Sequence, residues 1–199
     1  MDNIIEIYEK NILSINNSLS IYQYLQKQAK NLDATILLRA QLVLIVSAFD
    51  TYVHSLVIYR VLEEFFSAKN EIVVKLDIPI ELMYEIKKSE SDVQRSKLHA
   101  FLVKELSKDS FQSPKSIEYA LSIIGISKIW TQLSEKMSMN ADEIKRTLSL
   151  IVNRRNKIAH ESDWNKLTNT YENIEIDDVI LCRDFINKLV YAINSIVFE

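Results

Sequence analysis

The chain has little of what makes tight turns or covalent staples: one glycine, two prolines and one cysteine in 199 residues. Hairpin-rich β architecture depends on Gly and Asn-Gly turns, so this scarcity argues against it and favours long helices with short polar connections. The lone Cys182 excludes an internal disulfide and a cysteine-based zinc cluster, and fits a reducing, cytoplasmic setting. The three histidines, His54, His99 and His160, lie far apart with no metal-ligand spacing. No metal and no cofactor is therefore expected, and no glycine-rich phosphate loop is present to hold a nucleotide. The net charge of -3 is not that of a basic nucleic-acid coat, so any such role needs a local patch. The most apolar run, Ala40 to Phe49, is interrupted by Gln41 and Ser47 and falls short of the ~20 residues that span a bilayer. The opening Met1-Asp2-Asn3-Ile4-Ile5-Glu6 lacks a basic region leading into an apolar stretch, so neither a signal peptide nor a membrane is expected.

What is present suits a packed core: 48% hydrophobic and 26% charged residues, read as a single domain over residues 1–199. Residues 3–30 place Ile4, Ile5, Tyr8, Ile12, Ile15, Leu19, Tyr22 and Leu25 at helical steps, with a bend allowed near Asn16-Asn17-Ser18. Asp33 is a candidate cap for a long helix over 34–67 that is apolar on nearly all sides at first, hence central. A weakly β-like stretch around Ile72-Val73-Val74 follows. Short helices are expected over 80–88, from the Ser89–Asp92 caps through Leu106, from Ser113-Pro114 to Gly125, and over 127–137. Asn140 with Glu143 reads as a capping box for the next helix. Residues 164–176 read as a polar loop, and Asp177 or Asp178 as the cap of a last helix. The expected fold class is an all-α helical bundle with a long central helix.

The helix after Asn140 carries the chemistry. Its apolar stripe is Ile144, Leu148, Ile151, Arg155 and Ile158, so a guanidinium interrupts a core face. That costs stability unless the charge is paired or sits in a wet groove. Asn156 and His160 share a face, and Arg155 lies ~100° from Asn156, within bending reach. Arg suits a bidentate grip on phosphate, and His exchanges protons near neutral pH. From Ile144 to His160, Lys145, Arg146, Arg154, Arg155 and Lys157 occur without an acidic residue, a candidate RNA-binding surface. The residues alone leave an alternative: Arg154 and Lys157 a solvated face, Arg155 paired to a buried carboxylate, His160 a C-terminal cap favoured by the helix dipole.

The segment Ile151-Val152-Asn153-Arg154-Arg155-Asn156-Lys157-Ile158-Ala159-His160-Glu161-Ser162-Asp163 resembles the HEPN superfamily signature, Arg-Asn-x-x-x-His at the end of a helix, and looks most like the RiboL-PSP-HEPN branch. Arg39-Ala40-Gln41, Ser47 through His54, and Ser110-Phe111-Gln112-Ser113-Pro114 are similar to further stretches of that branch. The resemblance covers roughly residues 35–195 and leaves 1–30 outside. It implies a dimerising helical bundle whose motif helices face each other, and metal-independent RNA cleavage through attack of the ribose 2′-OH. It implies Arg155 as phosphate and transition-state stabiliser, His160 as proton-transfer residue or positioner of the reacting oxygens, and Asn156 as a group that helps orient the phosphate. A toxin or antiphage-defence setting, with an antitoxin or defence partner protein, follows from the resemblance alone. The rival is a non-catalytic HEPN module that binds RNA or protein. One HEPN subset has a modified Tyr two residues after the His; here Ser162 stands there.

Asp50 and His54 share a face of the central helix; they read either as a self-contained core pair or Asp50 as a hold on Arg155, or as additional, supporting members of the cleft. His99 reads as a surface or packing residue, Trp130 as core or a base-stacking ring, Cys182 as inert packing, and Trp164 as core, dimer packing or a base-stacking ring.

Overall fold

The computed structural model describes residues 2–29, 31–67 and 76–198. The β-like stretch expected around Ile72–Val74 lies outside them. Eight helices and one small hairpin occur among the described residues: α1 (Asp2–Gln28), α2 (Thr35–Phe66), α3 (Ile80–Lys88), α4 (Ser91–Leu106), α5 (Pro114–Ile123), α6 (Ile129–Met137), α7 (Ala141–Glu161), β1 (Trp164–Asn165), β2 (Thr170–Tyr171) and α8 (Ile176–Phe198). The fold class is all-α, as the breaker-poor composition requires. The chain divides into two compact units, residues 1–52 with 130–199, and residues 53–129.

The first unit holds the motif helix. Tyr8, Ile12, Ile15 and Leu19 form the buried stripe of α1, at the three- and four-residue steps of an amphipathic helix. Leu38, Leu42, Ile45, Val46 and Phe49 of α2, and Val179, Ile186, Leu189, Val190 and Ile193 of α8, are buried with it. Each such side chain contributes roughly 1.5–3 kcal/mol by leaving water. Polar bonds set the register of the helices. Tyr8 donates to Asn187 Oδ1 (2.6 Å), Tyr52 to Asn194 Oδ1 (3.1 Å), and Arg183 to Asn16 Oδ1 (2.8 Å). Gln41 donates to Ser18 Oγ. The polar cluster Asn16–Ser18, read above as a bend, is unbroken helix; Asn16 and Ser18 are there to accept these cross-helix bonds.

The second unit is built from the rest of α2 with α3, α4 and α5. Its core is Val53, Leu56, Val57, Leu98, Leu102, Leu106, Phe111, Ile117 and Leu121. Ser113 caps α5 by accepting from Ser116 N (3.1 Å), Ser116 Oγ accepts from Ser113 N (3.0 Å), and Pro114 occupies the first turn, where its missing N–H costs nothing. Gly125 has φ 81°, a conformation that favours glycine.

By length and composition α2 is apolar enough to cross a membrane, and half of the qualifying window is buried in the protein. The ten-residue run counted in the sequence understated it, because isolated polar residues do not end a helix.

Two boundaries differ from the sequence reading. The stretch after α7 is not all loop: Trp164 pairs with Tyr171 and Asn165 with Thr170 in an antiparallel hairpin. Asn165 Oδ1 accepts from Leu167 N (2.9 Å) and Thr168 N (3.2 Å), an Asx turn that substitutes for the absent glycine. Asp177 and Asp178 lie inside the first turn of α8, and Asp178 reaches back to accept from Glu175 N (2.9 Å).

Candidate active site

α7 starts at Asn140, whose side chain accepts from Asp142 N (2.8 Å), two residues on and not three as a capping box would have it. Its buried residues are Ile144, Leu148 and Val152. The core therefore takes 144, 148 and 152, while Ile151, Arg155 and Ile158 are only half-buried. Arg155 flanks the stripe instead of interrupting it, which is how the helix tolerates it. Its Nη1 donates to Asn156 Oδ1 (3.1 Å), and its Nε is buried without a partner. The bond turns the guanidinium toward the face that Asn156 shares with His160. His160 is exposed in the last turn of α7. Arg155 and His160 are ~140° apart around the helix and share no hydrogen bond.

The basic residues do not form one surface. Lys145 lies 5.8 Å from the Trp130 ring centroid and 3.6 Å from Asp142, and it sits ~20 Å along the helix from His160. Arg146 and Lys157 are exposed and, eleven residues apart, share a face. Arg154 is tied down. Its Nη2 donates to Asp163 Oδ2 (2.7 Å) and to the Asn173 carbonyl (2.9 Å).

Asp163 is what the sequence reading missed. It is 1% exposed and its Oδ2 also accepts from Arg39 Nε (3.0 Å). Arg39 in turn donates to Thr35 Oγ1 (2.8 Å) and to the Glu172 carbonyl. One carboxylate between two guanidiniums leaves this cluster with net positive charge, on the chain just past His160. A buried carboxylate is present at Asp163, and it takes Arg154 and Arg39; the hydrogen bond of Arg155 goes to Asn156. The signal was an Arg set in the most apolar helix, since a guanidinium there implies a buried carboxylate elsewhere.

The turn that places Asp163 is strained. Ser162 (φ 54°) and Asp163 (φ 60°) are both left-handed, which costs on the order of 1–3 kcal/mol per non-glycine residue unless surroundings enforce it. Here the N–H groups of Ser162 and Asp163 both bond the Lys157 carbonyl, Glu172 N bonds the Asp163 carbonyl, and the two arginines hold the side chain. His160 thus projects from a helix end that is fastened immediately behind it.

Asp50 is half-buried at the end of the first unit, and His54 belongs to the second, where its ring lies 4.3 Å from that of Phe111. His99 is exposed and Trp130 is buried. Burial pushes the Cys182 thiol up to about 12. A groove of about 490 Å³ beside α7, lined by Leu42, Leu150, Ile151, Arg154 and Leu181 among others, includes neither Arg155 nor His160. Among the described residues no cluster of three His, Cys, Asp or Glu could hold a metal ion.

Residues 10–199 match the family model described as RiboL-PSP-HEPN. The match begins within α1, earlier than the resemblance suggested, in keeping with the bonds that α1 makes to α2 and α8. No curated protein and no solved structure matches.

Proposed function

The chain belongs to the RiboL-PSP-HEPN family, and on that premise we propose that it is a metal-independent endoribonuclease acting at a cleft shared by two copies. Family membership supports RNA handling in general. The cleaving reading is supported by one observation above others: Arg155 is turned by Asn156 toward the face that carries an exposed His160.

In the proposed reaction the ribose 2′-oxygen attacks the adjacent phosphorus and the bond to the 5′-oxygen breaks. The 2′-hydroxyl proton passes to a base, and the leaving 5′-oxygen takes a proton from an acid. The products are a 2′,3′-cyclic phosphate and a 5′-hydroxyl. Arg155 stabilises the charge that builds on the phosphoryl oxygens, and Asn156 orients both guanidinium and phosphate. One helix supplies one imidazole. Two α7 helices meeting across a two-fold axis supply two, one as base and one as acid. Lys157 and Arg146, exposed on one face, engage phosphates of the strand, with Arg154 and Lys145 in supporting positions. Asp50 and His54 are proposed as supports and not as reacting groups. The setting is a cytoplasmic toxin or antiphage effector restrained by a partner protein, without a membrane and without a cofactor.

The test is total RNA incubated with protein in EDTA, followed by end-group analysis. Wild type leaves cyclic phosphates, and His160→Ala or Arg155→Ala lowers the rate by at least ~10²-fold. Cleavage by both variants at the parent rate overturns the assignment. RNA binding without cyclic ends at high protein supports the non-cleaving module instead.

A further inference from the structure

An exposed aromatic pair follows directly after the motif helix and has no role in the reaction above. Trp164 and Tyr171 face each other across the hairpin, ring centroids 5.1 Å apart and planes at 89°. They are 38% and 57% exposed, whereas the other tryptophan, Trp130, is 6% exposed. Their support is rigid. The Arg39 guanidinium lies 5.1 Å from the Tyr171 ring centroid and is itself held by Asp163, Thr35 and the Glu172 carbonyl. Asn165 and the left-handed Asn169 close the turn. Trp164 is only four residues beyond His160, a distance the chain covers in at most ~14 Å.

We propose that Trp164 and Tyr171 form a stacking platform for an unpaired base of RNA, next to the phosphate held by Arg155 and His160. Flat rings backed by a guanidinium suit the π-face that every base presents, and stacking of this kind is tolerant of sequence. Bases inside a duplex are already stacked, so the platform selects single strands, loops or ends. The surrounding charge fits a polyanion. Lys157 and Lys166 are exposed. Asp163 is occupied by two guanidiniums and Glu172 accepts from the Asn165 amide; Glu161 remains exposed, one turn from Lys157. This inference rests on the RNA-handling reading of the same site.

The test uses full-length His160→Ala protein, titrated with a short oligouridylate and with that strand annealed to oligoadenylate, while tryptophan emission is followed. The single strand quenches emission, and Trp164→Phe abolishes the quenching yet keeps most of the affinity. Trp164→Ala and Tyr171→Ala each weaken single-strand binding about tenfold with unchanged far-ultraviolet dichroism. In the active protein they raise KM more than they lower kcat. Equal affinity for strand and duplex with no quenching overturns the platform. So does a blue shift of Trp164 emission with protein concentration before RNA is added, which marks the pair as covered by a second copy. Cleavage by wild type that neither substitution affects removes the platform and leaves the ribonuclease; no binding and no cleavage by wild type removes both.

Discussion

Arg155 and Asp163 are two charges that an apolar packing scheme has to accommodate, and they do it differently. Arg155 moves to the flank of the buried stripe and leans on Asn156. Asp163 is buried and neutralised by Arg39 and Arg154. Removing the shared carboxylate leaves two guanidiniums without their anion, so Asp163→Ala is expected to cost about 3–5 kcal/mol, read as a fall in the urea midpoint. A change below about 1 kcal/mol would mean that the triad is solvated in solution. Cys182 gives a second check at this scale. Its thiol is raised to about 12 by burial, so it is protonated at pH 8 and iodoacetamide should label it only after denaturation. The linked effect has a definite sign. The folded state holds this proton more tightly than the unfolded chain, so the stabilisation is full below the ordinary value of 9.0 and is lost as pH rises toward about 12. Buried Tyr52 and Tyr8, both shifted upward by desolvation, act in the same direction, and an alkaline titration of thermal midpoints measures the sum.

At the scale of elements, α7 depends on both of its ends. Asn140 satisfies an orphan N–H at the start, and Asn140→Ala is expected to lose about 1 kcal/mol without altering KM for RNA. Its far end is stopped not by glycine but by two left-handed non-glycine residues, Ser162 and Asp163. Periodicity reveals where apolar residues recur, and it read 144, 148, 151, 155 and 158 as one face. Packing chose 144, 148 and 152, because a straight helix drifts from any strict repeat and neighbouring helices decide which edge of the stripe is covered. The hairpin after α7 escaped notice for a related reason: its strands are two residues each, and its turn relies on Asn side chains where Gly is the usual marker.

At the scale of the whole molecule, a cleft that needs an imidazole from each copy makes a subunit-mixing prediction. Wild type mixed with an equal amount of His160→Ala and allowed to exchange subunits at random ends with about a quarter of the molecules as wild-type dimers and about half as mixed dimers that hold one imidazole. Activity should fall, as exchange proceeds, from about half to about a quarter of that of the same total of wild type. Activity that stays at about half, under conditions where exchange is shown by mass, would mean that one imidazole per cleft is enough.

The amino-acid sequence by itself determined the fold class, the helix positions and the Arg155–Asn156–His160 motif, because breaker scarcity, periodicity and local spacing are short-range properties. Only the tertiary structure decided the rest. It paired Asp163 with Arg39 and Arg154 across 124 and nine positions, withdrew Arg154 from the free basic surface, and put His54 against Phe111 in the second unit. The physical reason is that a buried charge must find an opposite charge wherever packing brings one within reach, and sequence distance carries no information about that reach.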